Sequence, residues 1–149
     1  MKRMLLGYVV IALCAMPVIA SAAKPAPKTL SRSELPAGFA IGTASPSLAL
    51  QVEVVDGKVI ASAPAGDGPG NLRAARSGDA AQTTLMVSSA LVEAVKFDLY
   101  VSLDGERFTY ASSCGVTPGV SSFEMWEQPV KLFALGNPRV LPKGRMACD

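Results

Sequence analysis

The side chains that usually carry catalysis are sparse in this chain of 149 residues. It contains no histidine, which excludes serine–histidine and cysteine–histidine catalysis, the usual zinc sites and the commonest general base. The acidic residues are scattered and follow no recognised catalytic or metal-loop spacing. We therefore expect no enzymatic activity, no cofactor and no metal site. Two carboxylates that met in space could still serve a glycosidase, which is the open alternative.

The cysteines offer a second kind of chemistry. Cys14 lies in an apolar N-terminal run, whereas Cys114 and Cys148 lie in the rest of the chain. An even pair of cysteines in an exported chain is typical of a disulfide. We therefore predict a bond between Cys114 and Cys148, with two unpaired buried thiols as the alternative.

The N-terminus has the layout of a signal peptide. Two basic residues precede an apolar run over residues 5–19, and the small residues 20–22 follow it as a cleavage site. We predict a signal peptide over 1–22, a periplasmic or secreted location, and no membrane span after leader cleavage. An uncleaved anchor is the alternative, but the run is short for a span of about 20 residues.

Removal of the leader changes the charge of the protein. The whole chain has 14 Lys and Arg against 12 Asp and Glu, and the leader contains Lys2, Arg3 and no acid, so 14 − 2 leaves 12 against 12. A neutral domain has no global field that would attract a polyanion. We therefore predict no nucleic-acid partner, and a protein partner in the envelope or outside the cell.

Two Asp-Gly pairs mark the strongest β-hairpins. Asp104-Gly105 predicts a two-residue type I′ turn within residues 96–114, which would place Val101 opposite Phe108 and Leu99 opposite Tyr110. Asp56-Gly57 predicts a similar hairpin over residues 48–63. Both stretches alternate apolar and polar residues, as half-buried strands do.

The whole pattern predicts an all-β protein. About seven short strands, with turn signals every 8–12 residues, favour a small antiparallel β-sandwich of the immunoglobulin-like kind, with a small β-barrel as the alternative. Residues 23–36 are predicted to be a flexible spacer rich in Pro and Ala, and residues 37–149 a single β domain. Within that domain, residues 64–82 are predicted to form a long loop rich in Gly and Ala.

The aromatic run after Cys114 is the candidate for recognition. On a strand, Phe123 and Met125 would share one face and Trp126 would take the other. Because exposed Trp and Met are common anchors at interfaces, we predict a binding surface at Trp126, Phe123 and Met125, with Tyr100 as a neighbour. The alternative is that Trp126 is a partly buried core residue.

These features together predict an exported, non-enzymatic binding or inhibitory protein that acts through protein–protein contacts. The alternative is a structural component of an envelope or surface assembly, in which residues 23–36 would be a docking segment.

Overall fold

A computed structural model of the chain describes residues 29–79, 81–111, 114–145 and 148. The predicted signal peptide and residues 23–28 of the predicted spacer lie outside the described residues. The described part of the chain contains no helix that is long and apolar enough to cross a membrane.

The described residues form ten strands in two antiparallel sheets of five. Sheet A has the order β1-β8-β7-β10-β2, and sheet B has the order β4-β3-β5-β6-β9. The strands are β1 (Thr29–Ser31), β2 (Ala40–Gly42), β3 (Leu48–Val55), β4 (Lys58–Pro64), β5 (Leu72–Gly78), β6 (Thr83–Ser89), β7 (Val95–Ser102), β8 (Arg107–Ala111), β9 (Ser122–Trp126) and β10 (Leu132–Val140). The predicted all-β sandwich is confirmed, as against the barrel alternative, with ten strands where the sequence predicted about seven.

The main core lies between the two sheets. Alternate residues of each strand point inward, as the period of two requires, and fully burying each large apolar side chain contributes about 1.5–3 kcal/mol. The largest fully buried side chains of this core are Leu50, Val52, Leu72, Leu85, Val87, Val95, Phe97, Leu99, Val116, Phe133 and Leu135.

The hairpin at Asp56-Gly57 forms as the sequence predicts. Asp56 and Gly57 have φ of 49° and 70°, so both adopt the left-handed backbone that a type I′ turn needs. Val55 pairs with Lys58 and Val54 with Val59. The register then shifts by one residue, so that Val52 pairs with Ser62 and not with Ala61.

The turn at Asp104-Gly105 is longer than predicted, and this prediction of register is wrong. Val101 pairs with Thr109, not with Phe108. The cause is side-chain hydrogen bonding within the turn: Asp104 Oδ1 accepts from the backbone N–H of Glu106 at 2.9 Å and of Arg107 at 2.8 Å. These bonds close a turn of five residues between Ser102 and Phe108.

The extra residue reverses the two faces of β8, because a slip of one residue exchanges the faces of a strand. Phe108 and Tyr110 therefore lie on the outer face of sheet A. Arg107, Thr109 and Ala111 point toward sheet B instead.

A second small core covers that outer face. The first two strands lie at opposite edges of sheet A, so residues 32–39, here called the crossing segment, pass over its outer face. Phe39 and Leu35 of the crossing segment pack with Phe108 and Ala134 of the sheet. The second core thus buries the aromatic side of β8.

The β domain begins earlier than the sequence predicted. Thr29–Ser31 form β1 and Arg32–Glu34 form a 3-10 turn, whereas residues 23–36 were predicted to be a spacer. Leu30 is buried and its backbone pairs with that of Phe108. In the sequence Leu30 and Leu35 are isolated apolar residues that repeat at neither a helical nor a strand spacing. Their packing against the domain therefore could not be predicted from the local sequence.

The predicted loop over 64–82 contains a full strand. Leu72 and Ala74 of β5 are completely buried and alternate with Arg73 and Ala75. Because alanine is small, the alternation of apolar and polar residues along β5 is weak. The glycines on either side of the strand make the segment look more like a loop. Only residues 65–71 and 79–82 connect strands.

The predicted disulfide is present. Cys114 and Cys148 are joined with an S–S distance of 1.99 Å, and they also form an isolated antiparallel bridge. The bond therefore ties the C-terminal end of the described chain to the segment that follows β8.

Candidate functional site

Strand β9 is the last strand of sheet B and carries three of the four predicted binding residues. It pairs with β6 on one side only, among the described residues. Phe123 and Met125 point away from the core and are 67% and 63% exposed. Met86 of β6, which pairs with Phe123, is 37% exposed beside them. We call Met86, Phe123 and Met125 the outer patch.

Trp126 lies on the opposite side of β9 from the outer patch. Its side chain is half-buried and packs against the main core, with its ring 5.7 Å from that of Phe133 and tilted by 57°. The alternation predicted for this strand is therefore correct. Trp126 does not share a surface with Phe123 and Met125.

The chain after Trp126 is held by hydrogen bonds at both backbone polar groups of Val130. The backbone N–H of Val130 donates to the buried Thr83 hydroxyl at 3.0 Å. The guanidinium of Arg76 donates to the carbonyl of Val130 at 2.8 Å. Because Thr83 is also the strand partner of Trp126, these bonds fix where the tryptophan lies.

Tyr100 is not a neighbour of the other three predicted residues. It lies on the outer face of sheet A, where its ring makes edge contacts with Phe39 at 5.8 Å and Tyr110 at 5.4 Å. Burial, together with the charge of Asp98, raises the pKa of the Tyr100 hydroxyl. Tyr100 is partly buried there, and its part in binding stays a prediction.

An open cleft of about 670 Å³ lies between the sheets at the β8 and β9 edge. Trp126 and Gln128 line it on the sheet B side, and Thr29, Arg107 and Thr109 line it on the sheet A side. We call it the edge cleft. Val101, Leu103 and Ala111 give it apolar surface as well. Arg107 and Thr109 face it because the longer turn at Asp104 sets the register of β8.

The charges at the edge cleft neutralise each other. Arg107 Nε donates to Asp104 Oδ2 at 3.1 Å. The backbone N–H groups of Arg107 and Glu106, and the Arg107 side chain, hold the pKa of the Asp104 carboxyl well below its ordinary value. The carboxylate is therefore ionised over the whole physiological range, and the pair presents no net charge.

Glu124 is the acidic residue on the inner side of β9. Burial raises the pKa of its carboxyl, and a hydrogen bond from the backbone N–H of Cys114 partly opposes that shift. The carboxylate thus links β9 to the disulfide segment.

Sequence reasoning missed Met86 and the polar wall of the edge cleft. Met86 could have been found, because the alternation in β6 places it opposite the buried Leu85 and Val87. Thr109 and Arg107 could not, because the wrong register of the hairpin turned them toward solvent.

The described residues contain no group of three acidic, cysteine or histidine side chains that could hold a metal ion. Comparisons of the chain with protein-family models, with curated proteins and with solved structures found no match. The functional argument therefore depends on the geometry of the two faces of β9.

Proposed function

We propose that this protein is an exported, non-enzymatic binding or inhibitory module that captures a protein partner at β9. The observation that carries the proposal is the outer patch, where Phe123 and Met125 are each more than 60% exposed side by side. Exposed aromatic and Met side chains that adjoin one another are typical anchors of protein interfaces.

The edge position of β9 indicates the form of the partner. A sheet edge can accept an extended segment as an added strand, with its side chains contacting the residues beside it. The partner segment would be extended and would place apolar side chains over Phe123 and Met125. The described part of the chain has no strand on that side of β9.

Export is supported by the signal-peptide layout and, weakly, by the Cys114–Cys148 disulfide, since such bonds persist in oxidising compartments. N-terminal sequencing of the protein recovered from the periplasm or medium tests it. We expect the mature chain to start at Ala23. Recovery of intact Met1 in the membrane fraction would contradict leader cleavage, and recovery of the protein only from the cytoplasm would contradict export.

The alternative of a structural assembly component receives less support. It required residues 23–36 to dock elsewhere, and residues 29–36 are already used by the domain itself. Trimming residues 23–28 should therefore leave the size-exclusion profile of the protein unchanged.

Site-specific photo-crosslinking tests the binding proposal. A benzoylphenylalanine at position 123 should form a covalent adduct with one envelope protein, whereas the same probe at position 92 should not. Val92 is the matched control because it is 88% exposed and lies in the loop between β6 and β7.

Two further results of that experiment are expected. The adduct should map to an extended apolar segment of the partner, and Met125→Ser should reduce its yield. Equal labelling from positions 92 and 123, or an adduct only with a second copy of this chain, would overturn the proposal.

A further inference from the structure

The sheet A wall of the edge cleft carries polar side chains among its apolar ones, where the inner face of a sandwich is ordinarily apolar throughout. Thr29 and Thr109 are strand partners on the inner side of sheet A, and their hydroxyl oxygens are 3.4 Å apart. Arg107 precedes Thr109 on the same face. Inner faces of packed sheets are normally filled by apolar side chains, so this polar wall indicates a space that is meant to remain accessible.

The size of the edge cleft suits a ligand. Its volume of about 670 Å³ lies within the range of roughly 300–1,000 Å³ that is usual for small-molecule sites. The ring of Trp126 is held on its wall by the contact with Phe133 and by the bonds around Val130. The aromatic surface is therefore rigid before any ligand arrives, which lowers the cost of binding.

The chemistry of the lining selects the class of ligand. The indole of Trp126 offers a flat apolar surface, and the aliphatic side chains of Val101, Leu103 and Ala111 add to it. The polar groups of the lining are two threonine hydroxyls, the Gln128 amide and a neutralised Asp104–Arg107 pair. A charged ligand would find no unpaired opposite charge among these groups. A neutral molecule with an apolar face and many hydroxyls matches them, because each hydroxyl can both donate and accept.

We propose that the edge cleft binds a neutral carbohydrate. The C–H face of a pyranose ring would stack on Trp126, and its hydroxyls would bond to Thr29, Thr109 and Gln128. This site lies on the opposite side of β9 from the outer patch, so the inference goes beyond the proposed protein binding and does not depend on it.

Trp126 is the only tryptophan of the chain, so its fluorescence reports on the edge cleft directly. The mature protein would be titrated with maltohexaose, cellohexaose, xylohexaose and chitohexaose. We expect a saturable change in emission with at least one of them. If none of the four sugars changes the emission or retards the protein in affinity electrophoresis, the proposal is overturned.

Two variants tie the signal to the polar wall. Thr109→Val removes one hydroxyl at nearly constant shape and should weaken binding at least fivefold with little change in melting temperature. Should Thr109→Val fail to fold, Gln128→Ala serves in its place, because Gln128 is exposed. Val92→Ser, in the loop between β6 and β7 and outside both proposed sites, is the control and should bind as the wild type does.

The same variants can also contradict carbohydrate binding in the edge cleft. Sugar binding that both cleft variants leave unchanged would overturn the proposal, as would sugar binding that Val92→Ser abolishes. A cleft that responds only to an apolar probe such as 1-anilinonaphthalene-8-sulfonate would contradict it too.

Discussion

At the scale of single residues, Asp104 decides which side chains face the edge cleft. Its carboxylate accepts two backbone N–H groups and the Arg107 side chain, and the Ser102 hydroxyl accepts from the N–H of Gly105 at 2.9 Å. Because the pKa of Asp104 is lowered in the folded protein, its contribution to stability is present above the ordinary pKa and is lost as the pH falls below it.

We expect Asp104→Ala to lower the melting temperature at neutral pH, because four donors of the turn lose their acceptor: the Ser102 hydroxyl, two backbone N–H groups and the Arg107 side chain. Asp104→Asn should lower it less, since the amide oxygen can still accept. Asp67→Ala, an exposed acid in the loop between β4 and β5, is the control. Thermal unfolding followed by circular dichroism measures all three, and an unchanged midpoint for Asp104→Ala would contradict the account of the turn.

Glu124 should respond to pH in the opposite sense. Its folded-state pKa is raised above the ordinary value of 4.5, so the folded protein holds a proton more tightly than the unfolded chain does. Stability therefore falls as the pH rises from the ordinary pKa through the raised one. Above that window the cost of the buried charge is fully present.

We expect Glu124→Gln to raise the melting temperature at pH 7, because the amide does not ionise but can still accept from Cys114. The difference from the wild type should disappear near about pH 3, where the carboxyl is protonated in both states. Glu53→Gln, on the exposed face of β3, should show no such difference. A lower midpoint for Glu124→Gln at pH 7 would contradict the burial cost.

At the scale of elements, the two Asp-Gly pairs differ in whether the sequence predicts their turn correctly. Asp56-Gly57 gives the expected turn because nothing competes for its backbone. Asp104 is two residues after Ser102, and the side chains of these two residues accept hydrogen bonds from three backbone amides, which favours a longer turn. The alternation along each strand was predicted, whereas the register between strands was not, because it depends on that local competition.

The predicted binding residues show the same difference between alternation along a strand, which the sequence indicates, and the arrangement of strands, which it does not. The pattern Phe123-Glu-Met125-Trp126 correctly separates the faces of β9. It contains no information on which sheet β9 joins, so Tyr100 was assigned to the wrong neighbourhood. The crossing segment could not be predicted either, because Leu35 and Phe39 pack against residues that are distant in the sequence.

The contact between the crossing segment and β10 is tight enough to test. A Cβ added at Gly136 would overlap the ring of Phe39, and such overpacking typically costs about 1–3 kcal/mol. We expect Gly136→Ala to lower the free energy of unfolding by that amount in urea titrations.

A double-mutant cycle isolates the cause. Gly136→Ala should cost less in a Phe39→Leu background, because the smaller side chain leaves room for the methyl group. Strictly additive effects of the two substitutions would show that Phe39 is not what opposes the added Cβ.

At the scale of the whole molecule, the disulfide closes a long loop. Cys114 and Cys148 are separated by 34 positions, and loop-closure entropy for that length is worth about 3–4 kcal/mol. We expect the Cys114→Ser, Cys148→Ser double variant to lose stability of that order in denaturant titrations. Peptide mapping without reduction should find the two residues joined, and free thiols at both positions would contradict the bond.

The crossing segment also determines when the domain can fold. The backbone of Leu30 pairs with Phe108, and that of Ile41 with Ala134, so the first two strands must wait for the last ones to be synthesised. Strands β3 to β6, in contrast, pair among themselves. Closing such distant pairs is slow, and a chain truncated after Lys131 should show no cooperative unfolding. Sheet A cannot form until β10 has been synthesised, so the nascent chain stays incompletely folded. A translocation pore requires an unfolded chain, and this order of folding is compatible with that requirement.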